Sequence, residues 1–337
     1  MKNFLSVKDV TDLNELVQGA LDLKKNPYEH KFLGLNKTLG LIFFNPSLRT
    51  RLSTQKAALN LGMNVMIMNF DAEDWMLETA DGAIMNGRTV EHIKDAAAVM
   101  GEYCDIIGIR SFPKFVTKEE DYKEDFLEKF KEYSKVPILS LESATLHPLQ
   151  SLADLITITE NTSELTKAKV VLTWAPHVKP LPQAVANSFA EWMLKANVDF
   201  TITHPKGYEL CPEFTKVAKV NYNQQEALMN ADFVYVKNWS AYYRYGQILP
   251  VSDDWLLNKN TIRVTNQAKI MHCLPVRRGV ELSHELIDSK DSLVLQQASN
   301  RLWAAQAVLK RMLENTKAVN SDLKFSGLKL QVPSLQG

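Results

Sequence analysis

The stretch TLGLIFFNPSLRTRLSTQKAALNLG, residues 38–62, decides the fold. Its beginning, residues 38–44, is short and largely apolar, which is typical of a strand buried on both faces. The Asn45-Pro46 pair predicts a turn. A helix-length segment follows and ends at Gly62, a residue type suited to the left-handed position just after a helix. A strand joined to a helix by a short turn predicts a β–α unit of a parallel sheet.

The same pattern repeats along the rest of the chain. Other segments suited to strands cover residues 64–70, 104–110, 136–141, 170–174, 199–204, 232–237, 269–273 and 292–295. Segments suited to helices cover residues 48–61, 90–103, 119–133, 148–160, 182–196, 224–230 and 297–314. Repeated βα units predict an α/β protein with two doubly wound parallel-sheet domains. We expect these domains at residues 1–150 and 151–337, with the C-terminal helix 297–314 packing back on the first domain.

Composition excludes several classes of protein. The 39 Lys and Arg residues balance 39 Asp and Glu residues, so net charge gives no reason to expect a nucleic-acid or membrane-surface partner. The three cysteines, Cys104, Cys211 and Cys273, form no CxxC pair, which argues against a disulfide framework or a zinc ribbon. The N-terminus has no apolar signal segment, and no apolar run reaches the roughly 20 residues of a membrane span. We expect a soluble, cytoplasmic protein.

The motif SLRTR, residues 47–51, carries the strongest chemical signal. We expect Ser47 at the N-cap, with Arg49, Thr50 and Arg51 in the first helical turn. Free backbone N–H groups, guanidinium groups and hydroxyls at a helix N-terminus are suited to binding a phosphate. The alternative is a solvated helix cap. It is less favourable because Arg in the first turn opposes the helix dipole.

Two further motifs follow predicted strands. HPLQ, residues 147–150, offers an imidazole and a carboxamide, which can hydrogen-bond a carbonyl group without adding charge; the alternative is a capping His147 and an exposed Gln150. HCLPVRR, residues 272–278, suggests an irregular ligand loop, since a lone cysteine such as Cys273 is more often a small buried apolar residue than a nucleophile. Arg110 ends another strand. Considered alone, Arg301 is most simply a helix-surface residue.

Together these motifs resemble the carbamoyltransferase family. SxRTR at 47–51, HPxQ at 147–150 and HCLP at 272–275 match its motifs in order and spacing, over nearly the whole chain. Within the family, the branch acting on N2-acylated ornithine is most similar, through DWMLE at 74–78, ESAT at 142–145, KPLP at 179–182 and VKNW at 236–239. The late SMG-type loop expected of ornithine carbamoyltransferases is missing from this sequence.

The resemblance implies a carbamoyl-phosphate domain, a knotted amino-acid domain, and a homotrimer with active sites between subunits. The implied transfer requires no metal, no Asp/Glu/His cluster in the sequence suggests one, and we expect no cofactor. The resemblance implies a carbamoyl-phosphate site formed by Ser47, Leu48, Arg49, Thr50, Arg110, His147, Gln150 and Arg301, by the backbone carbonyls of Cys273 and Leu274, and by Trp75 of the neighbouring chain. Of these, Arg49, Arg110 and His147 are the expected catalytic residues. The acylated amino acid would be held by Glu142, His177, Lys237 and Arg277.

The resemblance also bears on the acyl group. It puts Val90 where acetylornithine-using relatives carry a Glu, and an apolar Val would not repel the extra carboxylate of a succinyl group. We therefore expect carbamoyl transfer from carbamoyl phosphate to the δ-amine of N2-succinyl-L-ornithine, in arginine biosynthesis. N-acetylornithine is the near alternative, and Val90 would then only begin the helix 90–103. An alternative from a different class is a non-catalytic anion-binding relative, which would bind phosphate without forming a ureido product.

Overall fold

The computed structural model describes residues 1–70, 75–252 and 254–326. Within these ranges, the first half contains a four-stranded parallel sheet in the order β2-β1-β5-β6 and a short β3–β4 pair. Its elements are α1 (Leu13–Lys25), β1 (Thr38–Phe43), α2 (Arg49–Asn60), β2 (Asn64–Asn69), β3 (Leu77–Glu78), β4 (Glu91–His92), α3 (Ile93–Tyr103), β5 (Ile106–Arg110), α4 (Lys118–Tyr122), α5 (Asp125–Tyr133), β6 (Ile138–Glu142) and α6 (Pro148–Glu160).

The second half contains a five-stranded parallel sheet in the order β11-β10-β7-β8-β9. Its elements are β7 (Lys169–Trp174), α7 (Ala184–Lys195), β8 (Asp199–Thr203), α8 (Pro212–Thr215), β9 (Lys219–Asn221), α9 (Gln224–Leu228), β10 (Phe233–Lys237), β11 (Lys269–Met271), α10 (His284–Ile287) and α11 (Val294–Ser326). Two parallel sheets, each flanked by helices, confirm the predicted α/β class.

The order of the strands determines where a ligand can bind. In the first sheet the chain moves from β1 to β2 on one side, and later places β5 on the other side of β1. In the second sheet β7 has β8 on one side and β10 on the other. Ligands of such folds bind outside the carboxyl ends of strands, at the point where the strand order reverses. The motifs at residues 47–51, 147–150 and 272–275 all follow carboxyl ends of strands.

Two helices connect the halves. Residues 148–158 of α6 are all buried, and this helix packs against α7 and α11. The long α11 packs against α1, α2 and α6, so the C-terminal helix contacts helices that flank the first sheet. One apolar core continues from Leu39 in β1 through Leu152 in α6 to Leu172 in β7. The predicted boundary at residue 150 falls inside α6. The precise division into domains and the knot stay predictions.

Several expected elements differ from the structure. Residues 292–295 are not a strand: Ser292 forms an isolated bridge with Ile270, and α11 begins at Val294. A short apolar run does not distinguish a strand from the start of a buried helix. The expected helix 119–133 is two helices, α4 and α5. Glu124 between them adopts a left-handed conformation with φ of 51°, and its buried carboxylate accepts hydrogen bonds from Ser143 and Thr145.

Candidate functional site

A cleft of about 420 Å³ lies at the carboxyl ends of the strands of both sheets. It is lined by residues that follow or end β1, β5, β6, β7, β10 and β11, together with one residue of α11. Fourteen of the sixteen predicted site residues lie on its wall: Ser47, Leu48, Arg49, Thr50, Arg110, Glu142, His147, Gln150, His177, Lys237, Cys273, Leu274, Arg277 and Arg301. Parallel-sheet topology thus gathers side chains that are up to 254 residues apart in sequence.

The other two predicted residues, Trp75 and Val90, do not line this cleft. The Trp75 side chain is 46% exposed, and its indole Nε1 donates a hydrogen bond to Glu91 Oε2 at 2.9 Å. Val90 is adjacent to Glu91 in sequence, is also exposed, and donates its backbone N–H to the Met76 carbonyl. Trp75 and Val90 therefore belong to one connected surface region of the chain.

The start of α2 forms one wall of the cleft. The expectation that Ser47 is the N-cap was wrong, because Leu48 is the N-cap residue and provides no side-chain hydrogen bond. The Ser47 side chain is therefore not used for capping, and the first N–H groups of α2 lack a side-chain cap. Thr50 is buried, and its Oγ1 accepts a hydrogen bond from Arg301 Nη2 at 2.5 Å. Burial lowers the pKa of Arg49.

The sequence suggested that Arg51 belongs to the anion site, but the structure does not place it on the cleft wall. Its guanidinium lies 4.5 Å from the centre of the Phe43 ring, and its Nη2 donates a hydrogen bond to Asn69 Oδ1. Successive residues on a helix point about 100° apart, so Arg49 and Arg51 diverge from one turn. Only the first of this pair belongs to the cleft wall.

Glu142, at the end of β6, is a buried carboxylate on the cleft wall. Glu142 Oε2 lies 3.0 Å from Arg110 Nη2 and 3.5 Å from His147 Nε2. Burial raises the pKa of Glu142, while Arg110, Arg301 and Lys237 oppose that rise. Burial, and then the same three cations, hold the pKa of His147 well below its usual range. The imidazole is therefore neutral at physiological pH and can offer a hydrogen bond without a charge.

The charge of the cleft favours anions. Among the described residues on its wall, six are basic, and Glu142 is the one carboxylate: the basic ones are Arg49, Arg110, Lys179, Lys237, Arg277 and Arg301. Burial lowers the pKa of Arg301 to about 10, so its guanidinium still carries its charge at neutral pH. A cluster of this kind in a partly enclosed cleft can hold a phosphate and further carboxylates.

The loop after β11 forms the opposite wall. Leu274 has a positive φ of 53°, and its N–H donates to His272 Nδ1 at 2.9 Å. The His272 N–H in turn donates to Gln297 Oε1 at 2.9 Å. Cys273 is buried, and burial raises the pKa of its thiol. This raised pKa agrees with the interpretation of Cys273 as a buried residue and not as a nucleophile.

His177 and Arg277 form a second polar group in the cleft. Arg277 Nε donates to His177 Nε2 at 3.1 Å, which leaves the ring proton on Nδ1, next to the Lys179 carbonyl at 2.9 Å. The Arg277 backbone N–H donates to Glu281 Oε2 at 2.7 Å. In the sequence, the KPLP segment at 179–182 served as a feature of the family branch, and Lys179 was not among the predicted site residues. The structure adds the Lys179 side chain to the basic wall.

Two domain profiles match the chain. The profile described as aspartate/ornithine carbamoyltransferase, carbamoyl-P binding domain, matches residues 2–160, and the profile of the Asp/Orn binding domain matches residues 182–312. The chain belongs to the aspartate/ornithine carbamoyltransferase family. The resemblance that the motifs suggested is thereby confirmed.

Named relatives of this carbamoyltransferase fall into more than one branch. An N-succinylornithine carbamoyltransferase of Bacteroides thetaiotaomicron is 52% identical over 93% of this chain and 99% of the relative. An N-acetylornithine carbamoyltransferase of Xanthomonas campestris pv. campestris is 33% identical over 94% of this chain and 99% of the relative. A solved N-acetyl-L-ornithine transcarbamylase variant with a Glu-to-Val substitution, complexed with carbamyl phosphate and N-succinyl-L-norvaline, has a TM-score of 0.86 at 32% identity, covering 93% of this chain and all of that one.

Sequence reasoning missed several residues of this carbamoyltransferase. Asp154 and Gln297 are completely buried behind the cleft and hydrogen-bond to each other. The one available signal was that Asp154 is four residues after Gln150, on the same face of α6. Considered alone, Arg301 was expected on the helix surface, and only the family resemblance placed it in the site; it is 5% exposed and bonded to Thr50. Among the described residues, no cluster of three or more His, Cys, Asp or Glu residues is arranged to hold a metal ion. No described helix is long and apolar enough to cross a membrane.

Proposed function

We propose that this protein transfers the carbamoyl group of carbamoyl phosphate to the δ-amine of N2-succinyl-L-ornithine, giving N-succinyl-L-citrulline and phosphate in arginine biosynthesis. The observation that carries the proposal is the cleft in which basic side chains from both halves of the chain converge. Identity of 52% to an N-succinylornithine carbamoyltransferase over nearly the full length supports the choice of acceptor.

The phosphate of the donor binds at the start of α2. Its oxygens receive hydrogen bonds from the first N–H groups of that helix, from Arg49, and from the hydroxyls of Ser47 and Thr50. Arg301 is already bonded to Thr50 and supplies a second guanidinium. The helix dipole and these cations stabilise negative charge at the same point, where the leaving phosphate gains it.

The reaction needs orientation and charge stabilisation. The unprotonated δ-amine attacks the carbamoyl carbon, a C–N bond forms, and the bond from that carbon to the bridging phosphate oxygen breaks. Arg110 and the neutral His147, which both line the cleft, donate to the carbonyl oxygen as it becomes negative. The departing phosphate takes the amine proton. Holding both substrates in one small cleft makes the attack effectively unimolecular.

The acceptor occupies the side of the cleft formed by the second sheet. Lys237, His177 and Arg277 face the α-carboxylate and acyl group, and Glu142 can accept a hydrogen bond from the δ-amine. Burial raises the pKa of Glu142, and burial lowers that of His177. Six basic residues and one carboxylate lie on the cleft wall, so an acceptor with two carboxylates pairs with more of these cations than an acceptor with one.

A neighbouring subunit completes the site in this proposal. The protein is a homotrimer in which Trp75 reaches the adjacent cleft. Since Val90 belongs to the same surface region as Trp75, both residues would reach the adjacent cleft together. Val90 would then lie against the acyl group, where it leaves space for the distal carboxylate. The solved relative that carries a Glu-to-Val substitution and holds N-succinyl-L-norvaline supports this role for an apolar residue.

The test is product identification with a matched specificity variant. Carbamoyl phosphate labelled with ¹³C is incubated with N-succinylornithine, and the ureido product and phosphate are quantified by mass spectrometry and colorimetry. We expect the two products in equal amounts. In Val90→Glu, activity should fall on N-succinylornithine and rise on N-acetylornithine, whereas Val99→Glu, at another exposed valine, should change neither preference. Phosphate binding without any ureido product would support the non-catalytic alternative and contradict the proposal.

A further inference from the structure

Asp154 is a completely buried carboxylate immediately behind the cleft wall, and the proposed reaction does not use it. Its Oδ1 accepts two hydrogen bonds, both of 2.7 Å, from Gln150 Nε2 and from Gln297 Nε2. Gln150 precedes it by one turn in the same helix α6, whereas Gln297 lies in α11. One carboxylate oxygen therefore holds two amide side chains from two helices.

The chemistry of a carboxylate fixes how both amides are oriented. Because Asp154 Oδ1 accepts from both side chains, each glutamine turns its NH₂ group toward Asp154 and its oxygen away. The Gln150 oxygen, Oε1, is buried and has no partner among the described residues, and Gln150 lines the cleft. The Gln297 oxygen accepts the N–H of His272 at 2.9 Å.

The second of these contacts extends the effect of Asp154 to the opposite wall. His272 begins the loop after β11, and its Nδ1 accepts the N–H of Leu274. Cys273 and Leu274 of this loop line the cleft. Through Gln297 the carboxylate therefore fixes the start of the segment that carries these two carbonyls. Through Gln150, which lines the cleft, it also fixes an amide whose oxygen has no partner among the described residues.

We propose that Asp154 is a positioning residue that presents hydrogen-bond acceptors to the NH₂ group of the donor, and so selects a carbamoyl over an acyl phosphate. The inference rests on the proposed use of carbamoyl phosphate. A carbamoyl NH₂ donates two hydrogen bonds and satisfies these acceptors. A methyl group of the same size donates none and leaves buried acceptors unpaired, which is unfavourable. Burial raises the pKa of Asp154 to about 7, and the two glutamine hydrogen bonds oppose the rise.

The test compares two stable phosphonates that differ in one group. Phosphonoacetamide carries the NH₂ of carbamoyl phosphate, and acetonylphosphonate carries CH₃ in its place. Their dissociation constants, and that of inorganic phosphate, are measured by calorimetry. Asp154→Leu removes the acceptor at similar volume. Two variants serve as controls. Asp154→Asn keeps an oxygen that can accept from both glutamines, and Glu160→Gln changes another carboxylate that connects α6 to α11.

We expect the wild-type protein to prefer phosphonoacetamide, and Asp154→Leu to reduce that preference roughly ten- to hundredfold, with phosphate affinity changed less than about twofold. Asp154→Asn and Glu160→Gln should keep most of the preference. An unchanged preference in Asp154→Leu, or an equal loss of phosphate affinity, would overturn the positioning role.

Two further readouts keep the outcome unambiguous. If Asp154→Leu does not fold, Gln297→Leu replaces it. This variant removes the connection from Asp154 to His272 and keeps the Gln150 hydrogen bond, so it should still reduce the preference several-fold. An unchanged preference in Gln297→Leu overturns the proposal. The failure of the proposed function would differ, because the wild-type protein would then form no ureido product at all. A wild-type protein that is active, paired with an Asp154→Leu variant that still discriminates the two phosphonates, rejects only the role of Asp154.

Discussion

At the scale of single residues, two arginines of one motif have different surroundings. Arg49 lies on the cleft wall, whereas Arg51 stacks on Phe43 and bonds to Asn69. We expect Arg49→Ala to lower turnover by about 10²–10³-fold, as loss of a single charge-stabilising donor does. Arg51→Ala, two residues further along the helix, should stay within about threefold of wild type because surface contacts of this kind contribute little. The measurement is the initial rate of ureido product formation. Equal losses in the two variants would contradict the assignment.

Residues adjacent to strand ends were predictable, and residues behind them were not. Arg110 and His147 follow apolar runs that are recognisable as strands, so their place at the carboxyl edge follows from parallel topology. Asp154 and Gln297 are 143 positions apart, and their contact depends on how α6 and α11 pack. Nothing local in the sequence specifies that packing. Ser47 was one position from the true N-cap, which is the usual uncertainty of helix ends.

At the scale of elements, the N-terminal segment docks on α7 through an acidic side chain. Glu191 is 8% exposed, and its Oε1 accepts the N–H of Val7 at 3.2 Å. Burial raises the pKa of this carboxyl to about 7, although the Val7 hydrogen bond and Lys8 lower it. In the unfolded chain the group titrates near its ordinary value of 4.5. Stability is therefore lost as pH rises through this interval, and the loss is complete above about pH 7.

The variant Glu191→Gln removes this ionisation and still accepts the hydrogen bond from Val7. We expect the free energy of unfolding of the variant to exceed that of wild type at pH 8 by up to about 3 kcal/mol, with little difference at pH 4.5. Urea denaturation at the two pH values measures the difference. A gap between the two proteins that does not change with pH would show that Glu191 does not titrate in this interval.

The strands were better predicted than the helix boundaries. Buried strands such as β5 and β7 are short apolar runs with no alternative structure. Residues 119–133 have continuous helical periodicity, but the chain breaks at Glu124 because its carboxylate bonds to residues 143–145, a contact distant in sequence. The largely exposed strand β9 was not predicted, since Lys219–Asn221 has too few apolar residues to indicate a strand.

At the scale of the whole molecule, the repeated βα units explain why the chain forms two parallel sheets. The cleft that both halves line depends on how those halves pack together. The apolar core that runs through α6 connects the first sheet to β7 of the second sheet. Sequence patterns predict each sheet but carry no signal for the orientation of one against the other. The family motifs supplied that information indirectly, because they marked which residues share a site.

The proposed trimer makes a prediction about mixed subunits. Arg301→Ala damages the cleft of its own chain, and Trp75→Ala damages the cleft of the neighbour. Each variant alone should be nearly inactive. Co-expression should restore about a quarter of wild-type activity, because each mixed cyclic ring keeps one intact site. Activity that stays at the level of the single variants would contradict a site shared between subunits.

The central claim concerns the acceptor, and one competition assay tests it most directly. Ornithine, N-acetylornithine and N-succinylornithine are supplied at equal concentration with limiting carbamoyl phosphate, and the three ureido products are quantified together by mass spectrometry. The ratio of products reports the ratio of kcat/KM values. We predict that N-succinylcitrulline is the main product. A mixture dominated by N-acetylcitrulline or citrulline would contradict the account.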